Sequence, residues 1–197
     1  MGDDARRAAE LAVRESYGRI MAFLSVRSRD VAVAEDALAE AFRNALETWP
    51  VAGVPREPEA WLLTAARRRL IDQMRHARVH EEATPSLLAA AEEAQGMADT
   101  SGFPDDRLKL LFVCAHPGID PMARTPLMLQ TVLGLDAARI AAAFLVRPAT
   151  MGQRLSRVKT KIRDAGIPFE VPSSSDLPNR LDAVAEAIYA AYGSGWD

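Results

Sequence analysis

Cysteine is all but missing from these 197 residues. The single thiol, Cys114, excludes an intramolecular disulfide and a cysteine-rich metal site. Histidine does not fill the gap, because His76, His80 and His116 are scattered, without metal-ligand spacing or a nucleophile partner. An enzyme is therefore the least favoured reading, and no cofactor or metal is expected. Cys114 and His116 lie two positions apart, a spacing that does not share a helix face, so Cys114 reads as a buried structural thiol. No apolar run approaches the ~18 residues of a membrane span, and the N-terminus has no signal-peptide core. These absences predict a cytoplasmic protein without a membrane partner. Nothing reads as a strand and no internal repeat appears, which leaves an all-α fold.

A net excess of positive charge is lacking too: 24 Lys and Arg stand against 27 Asp and Glu, a net charge of −3 that does not by itself point to nucleic acid. The distribution says more. From Arg147 to Arg163 there are basic residues at 147, 154, 157, 159, 161 and 163 and no acid, whereas Val79 to Asp106 has acids at 81, 82, 92, 93, 99, 105 and 106 and no Lys or Arg. Such segregation implies different partners for different segments.

The basic stretch sits in Leu135–Arg163, which reads as a helix, a tight turn and a second helix. At about 100° per residue, Met151, Leu155, Val158 and Ile162 form a narrow apolar stripe. Thr150, Gln153, Arg154, Arg157 and Lys161 gather on another face, suited to base edges and phosphates in a major groove. Pro148 fits the first helical position, where its missing N–H costs nothing. Asp136 is a good N-cap for the preceding helix, with Ile140, Ala141 and Phe144 turned inward and small Ala141 to Ala143 allowing a close helix approach.

Upstream, Val13, Tyr17, Ile20 and Leu24 imply a helix over about Asp4–Arg27. A second, about Val31–Trp49, buries Val31, Leu38, Phe42, Ala45 and Trp49 and is stopped by Pro50 and Gly53. Its other side lines up Asp36, Glu40 and Glu47 with Arg43, which the pattern alone reads as a solvated face. A third helix, about Pro58–Arg78, has Leu63, Ala66, Leu70 and Met74 on its apolar side and Trp61, Arg68, Asp72 and Arg75 opposite. The residues leave two readings of Trp61 open, stacking on unpaired bases or packing into this three-helix unit.

The acidic, Ala-rich segment 79–104 reads as a linker, with a short helix around Leu87–Gln95. Beyond it, the stripe Leu108, Leu111, Phe112, Ala115 is broken by Pro117 to Pro121, and Thr125–Leu133 forms a helix ended by Gly134. A second linker follows Gly166, and a last helix, about Leu177–Tyr192, has Leu181, Val184, Ile188 and Tyr192 on one side, for packing on the second domain.

Four stretches carry a resemblance: Ala34–Phe42, Ala60–Arg75, the acidic linker and Gly134–Arg163. Together they resemble RNA polymerase sigma factors of the sigma-70 family, in the compact extracytoplasmic-function (ECF) class. The phrases CAHPGIDPMART, FLVRPATMGQRL and DLPNRLDAVAEAIYAAY look like a subgroup with a C-terminal extension, so the chain is either a trimmed piece or a variant lacking that extension. The resemblance implies two small helical domains: 1–78, for core polymerase docking and −10 recognition and melting, and 105–166, a helix-turn-helix for −35 recognition. Segment 79–104 would join them and 167–197 would begin the extension.

It further implies that Asp36 and Glu40, with Arg43, dock on the β′ clamp helices. Trp61, Arg68, Asp72 and Arg75 would open the −10 element and capture flipped bases, against a pocket wall at Val51–Glu57. Thr150, Gln153, Arg154 and Arg157 would read the −35 element, with Lys161 on phosphate. The partners implied are core RNA polymerase (β′ clamp helices and β flap), promoter DNA and an anti-sigma or other regulatory protein.

The family usually has glutamine at Ala39, asparagine at Arg68, glutamate at Arg139 and a basic residue at Gly152, so promoter sequence is not transferable. Arg139 also removes the reciprocal capping box. The sequence leaves two rivals. One is a dimeric helix-turn-helix regulator on a palindromic operator, which leaves the Trp61 face unexplained. The other is a helical interaction module, adaptor or anti-sigma-like, whose basic helix binds an acidic protein.

Overall fold

The computed structural model describes residues 2–81 and 105–193. Among them are the helices α1 (Gly2–Ser28), α2 (Val31–Ala52), α3 (Pro58–Glu81), α4 (Arg107–Cys114), α5 (Pro121–Leu133), α6 (Ala137–Ala143), α7 (Pro148–Asp164) and α8 (Leu177–Gly193). No strand occurs among the described residues, so the fold is all-α as the sequence predicts. The expected linker helix at Leu87–Gln95 lies outside the described residues. Two compact units form, one from Met1–Ala12 and Asp36–Pro104, the other from Val13–Glu35 and Asp105–Asp197.

In the first unit, α2 buries Ala37, Leu38, Ala41, Ala45 and Trp49, and α3 buries Leu62, Leu63, Ala66 and Leu70. Alanine recurring every four residues gives α2 a thin seam, while Phe42 stays only half-buried. Pro50 does not stop α2, contrary to expectation; the helix runs through it to Ala52. So close to the end, its missing N–H forfeits one bond of the final turn only. Gly53 ends the helix at φ 88°, its N–H reaching the Trp49 carbonyl at 3.0 Å. Pro58 opens α3 as expected.

The second unit takes in Val13–Glu35 of the first two helices together with α4 to α8, and Ile20, Met21, Ala22, Phe23 and Leu24 of α1 are buried there. Gly18 permits a close helix approach, since a Cβ there would lie 2.0 Å from the Val132 carbonyl oxygen. Gly134 caps α5 at φ 68°, and Tyr17 covers it so closely that a Cβ would meet the ring at 2.9 Å. Burial, and secondarily Glu35, raises the Tyr17 phenol well above its ordinary pKa.

Three elements differ from the sequence reading. The two-turn α4 buries Leu110, Phe112, Val113 and Cys114, leaving Leu108 exposed and Leu111 half-buried, because so short a helix wedged in the core is covered on adjacent sides. Helix α5 starts at Pro121, with the Asp120 carboxylate accepting the Met122 N–H at 3.0 Å. The terminal helix α8 does pack on α5 and α4. It does so through Val184 and Ala187, while Leu181, Ile188 and Tyr192 of the expected stripe remain exposed.

Candidate nucleic-acid interface

Helices α6 and α7 form a tight hairpin within the second unit. The Asp136 carboxylate accepts the N–H groups of Ala138 and Arg139 at 2.9 and 2.8 Å and starts α6 without help from a second acid. Ile140 and Ala141 are buried and Phe144 half-buried, whereas Ala142 and Ala143 face solvent, so only Ala141 serves a close approach. The turn passes through Leu145 at φ 53°, with the Val146 N–H reaching back to the Ala141 carbonyl at 3.0 Å. That left-handed position is one glycine fills at less cost, and the Leu145 side chain covers nothing, being 94% exposed. Pro148 then starts α7.

Met151, Leu155, Val158 and Ile162 are all buried, each side chain stabilising by roughly 1.5–3 kcal/mol. This fixes the roll of α7. Thr150, Gln153, Arg157 and Lys161 are consequently exposed on one face, with Arg154 half-buried beside them. The face is internally ordered: Arg157 Nη2 donates to Gln153 Oε1 at 3.5 Å, and Arg154 Nη1 donates to the Met122 carbonyl on α5 at 3.4 Å. Gly152 lies about 200° around the helix from Thr150, off this face.

Two of the six basic residues do not belong to it. Lys159 is buried and paired with Glu35, and Arg163 Nη1 lies 3.8 Å from Asp30 Oδ2. Sequence periodicity places Lys159 about 180° from Thr150, which signals that it faces elsewhere. Nothing local signals its acidic partner 124 residues away.

The other candidate residues lie in the first unit. Asp36 is exposed, and half-buried Glu40 pairs with Arg43, whose guanidinium pKa rises chiefly through that hydrogen bond. On α3, Arg68, Asp72 and Arg75 are exposed on one face. Trp61 is half-buried and packs edge-to-face on buried Trp49, ring centroids 5.5 Å apart at 69°. The Trp49 Nε1 finds no hydrogen-bond acceptor among the described residues, so packing alone holds that ring.

Cys114 is fully buried beside Thr131, Sγ to Oγ1 3.6 Å, and burial pushes its thiol up to about 12. It is inert at neutral pH. Among the described residues no cluster of three His, Cys, Asp or Glu side chains is placed to hold a metal ion, and no helix is long and apolar enough to cross a membrane.

Residues 12–79 match the family model described as sigma-70 region 2. An uncharacterized protein of Rhizobium meliloti (strain 1021) is 38% identical over 192 residues, which is 95% of this chain and 45% of that protein. The chain thus spans less than half the length of that relative. No solved structure matches. The matched segment runs from the middle of α1 to near the end of α3 and contains both the Asp36–Arg43 side of α2 and the Trp61–Arg75 face. The likeness to sigma-70 region 2 thus covers residues 12–79, about a third of the chain.

Proposed function

We propose that this chain is a transcription initiation factor of the ECF class, which binds core RNA polymerase and directs it to promoters without chemistry of its own. What carries the reading is a combination: a sigma-70 region 2 match over residues 12–79, and, in the same chain, a proline-started helix α7 with an exposed, acid-free face of hydrogen-bonding and cationic side chains. A region 2 domain alone grips one promoter element. A second DNA-reading helix makes a two-point grip.

In this reading, residues 1–78 dock on polymerase and open the −10 element, 79–104 form the acidic connector, 105–166 read the −35 element, and 167–197 begin an extension typical of one subgroup. Asp36, Glu40 and Arg43 face the β′ clamp helices. Trp61, Arg68, Asp72 and Arg75 engage the opened strand, with Trp61 braced by Trp49 as a stacking surface. Unpairing a base costs a few kcal/mol, which stacking at about 1–3 kcal/mol per base offsets. Thr150, Gln153, Arg154 and Arg157 read base edges, Lys161 meets phosphate, and the β flap is a further contact. The factor acts in the cytoplasm, and an anti-sigma or similar protein is its regulatory partner.

Pull-down with core polymerase, followed by run-off transcription from genomic fragments, tests the reading. The expected result is polymerase-dependent transcription from a small set of fragments; DNA binding as a dimer without polymerase would replace it with a conventional repressor or activator. At residue level, Arg154→Ala should lose about 1–3 kcal/mol of discrimination at one −35 position. Arg157→Ala should weaken binding with a smaller dependence on sequence. Wild-type specificity in Arg154→Ala would remove that residue from the reading set.

A further inference from the structure

Helix α6 ends on a left-handed residue that is not glycine. The Val146 N–H reaches the Ala141 carbonyl at 3.0 Å and the Leu145 N–H reaches the Ala142 carbonyl at 3.3 Å, the paired bonds of a Schellman ending, which puts Leu145 at the position where φ is 53°. A bulky side chain is rare there, because its Cβ crowds the following carbonyl. The closure itself asks for no leucine, since half-buried Val146 supplies the apolar residue that commonly follows such an ending.

Exposure makes the choice costlier. Leu145 is 94% exposed, the highest value for any large apolar side chain among the described residues. The other non-glycine residue with positive φ among them is Arg29, at 54°, which also follows a helix end. Its exposed side chain is a guanidinium, which water solvates freely. Leucine gains nothing from water and covers no core. Neither the backbone nor the packing of the hairpin accounts for it, and residues held against local preference cluster at binding sites.

The surroundings indicate the ligand. From Ala137 to Arg163 the hairpin contains no Asp or Glu. Arg147, Pro148, Ala149 and Thr150 lead from Leu145 into the first turn of α7 and are all exposed, so the leucine adjoins the candidate DNA-reading face along the chain. A protein partner would need a broader apolar patch, whereas the exposed neighbours on α6 are only Ala142 and Ala143, and leucine is under-represented among residues that dominate protein interfaces. One apolar side chain projecting from a cationic, acid-free surface matches the major groove instead. Its base edges are polar apart from the thymine 5-methyl group.

We propose that Leu145 reads a thymine through its 5-methyl group, at the end of the upstream promoter element met by the start of α7. This rests on the function proposed above and places a specificity-determining residue outside the recognition helix. Leucine in place of glycine trades a relaxed turn for an apolar contact that Thr150, Gln153 and Arg154 do not supply.

The test uses holoenzyme assembled from the full chain and core polymerase, on a promoter fragment recovered by run-off transcription. Each thymine of the upstream element is exchanged in turn for deoxyuridine, which removes only the methyl group. Wild type should lose about fourfold in affinity at one position, the size expected for one buried methyl-sized group. Leu145→Ala should bind the natural fragment about fourfold more weakly and be indifferent to the exchange at that position. Leu145→Met, which keeps the apolar reach, should retain the sensitivity. Leu145→Gly relaxes the turn and should nevertheless match Leu145→Ala, which separates loss of the contact from distortion of the hairpin. Wild-type affinity in Leu145→Ala overturns the proposal. So does a loss of equal size on thymine and deoxyuridine fragments, which would set Leu145 against a sugar or a polymerase surface. A wild-type chain that brings polymerase to no promoter overturns the proposed function and the thymine contact with it; promoter binding without a methyl effect that depends on Leu145 overturns the contact alone.

Discussion

Replacing Gly152 by alanine should stabilise the chain, and the same replacement at Gly18 should destabilise it. Both glycines sit inside helices, α7 and α1, where alanine is favoured by about 1 kcal/mol over glycine. They differ in what the added methyl meets. At Gly152 nothing lies within 4 Å of the new Cβ, so the full propensity gain of about 1 kcal/mol is expected. At Gly18 the Cβ would sit 2.0 Å from the Val132 carbonyl oxygen and 3.0 Å from its carbon. The obstacle is backbone, which cannot rotate away, so α1 and the end of α5 must separate. Overpacking of that kind costs about 1–3 kcal/mol and more where nothing yields, which outweighs the propensity gain and leaves a net loss of about 2 kcal/mol.

Urea unfolding followed by far-UV circular dichroism measures both variants against wild type. A spread of about 3 kcal/mol between two formally identical substitutions is expected, from the propensity and overpacking magnitudes just used. Because Gly152 lies about 200° from Thr150, its alanine variant should bind DNA as wild type does. A Gly18→Ala protein as stable as wild type would refute the close approach of α1 to Val132, and with it the packing that seats the α1–α2 turn.

Leu145→Gly should stabilise by about 0.5–1 kcal/mol, since it relieves a left-handed φ of 53° and sacrifices a side chain that is 94% exposed; a lower midpoint in urea would show that the turn needs its leucine. His116 gives a pH dependence. Its Nδ1 accepts the Gly118 N–H at 3.1 Å, and burial, then Arg180 and Arg124, lower its pKa below the unfolded value of about 6.5. The folded state therefore binds fewer protons than the unfolded state, so this contribution is complete above about 6.5 and is lost as pH falls toward the depressed folded value. His116→Asn, which keeps an acceptor and does not titrate, should flatten that part of the stability profile; parallel acid losses in both proteins would sink the assignment.

The hairpin was the most legible part of the chain because its determinants are local. A four-residue apolar stripe, Pro148 at the first helical position and Asp136 at the cap each act within a turn or two. These local features fix which side of α7 is exposed without reference to any tertiary contact. Elements whose exposure depends on remote neighbours were not legible in this way. In α8 the stripe Leu181, Val184, Ile188, Tyr192 is a sound helical pattern, yet α5 and α4 engage the helix at Val184 and Ala187 and leave Tyr192 83% exposed. Proline as a helix breaker is also no sure guide, since Pro50, expected to stop α2, lies inside that helix. Helical periodicity puts Lys159 away from the Thr150 face, but its partner, Glu35 of α2, is 124 residues away and nothing local points to it.

A second internal proline, Pro126 of α5, bears on the candidate interface. Inside α5 it has no N–H to give the carbonyl four residues back, which belongs to Met122. That carbonyl is the group that accepts Arg154 Nη1 at 3.4 Å. The proline therefore leaves an acceptor at the N-terminal turn of α5, and the most enclosed arginine of the α7 face takes it. An arginine held this way has less rotamer freedom to lose on contact with a ligand, and its planar fork points in a set direction rather than sweeping the surface. Arg157, by contrast, hydrogen-bonds among the described residues to Gln153 of its own helix, at 3.5 Å, and keeps more freedom to adapt to a ligand. The difference between a directed and a roaming guanidinium is the physical basis for expecting sequence discrimination from Arg154 and general affinity from Arg157, and it originates in a proline of α5 rather than in α7 itself.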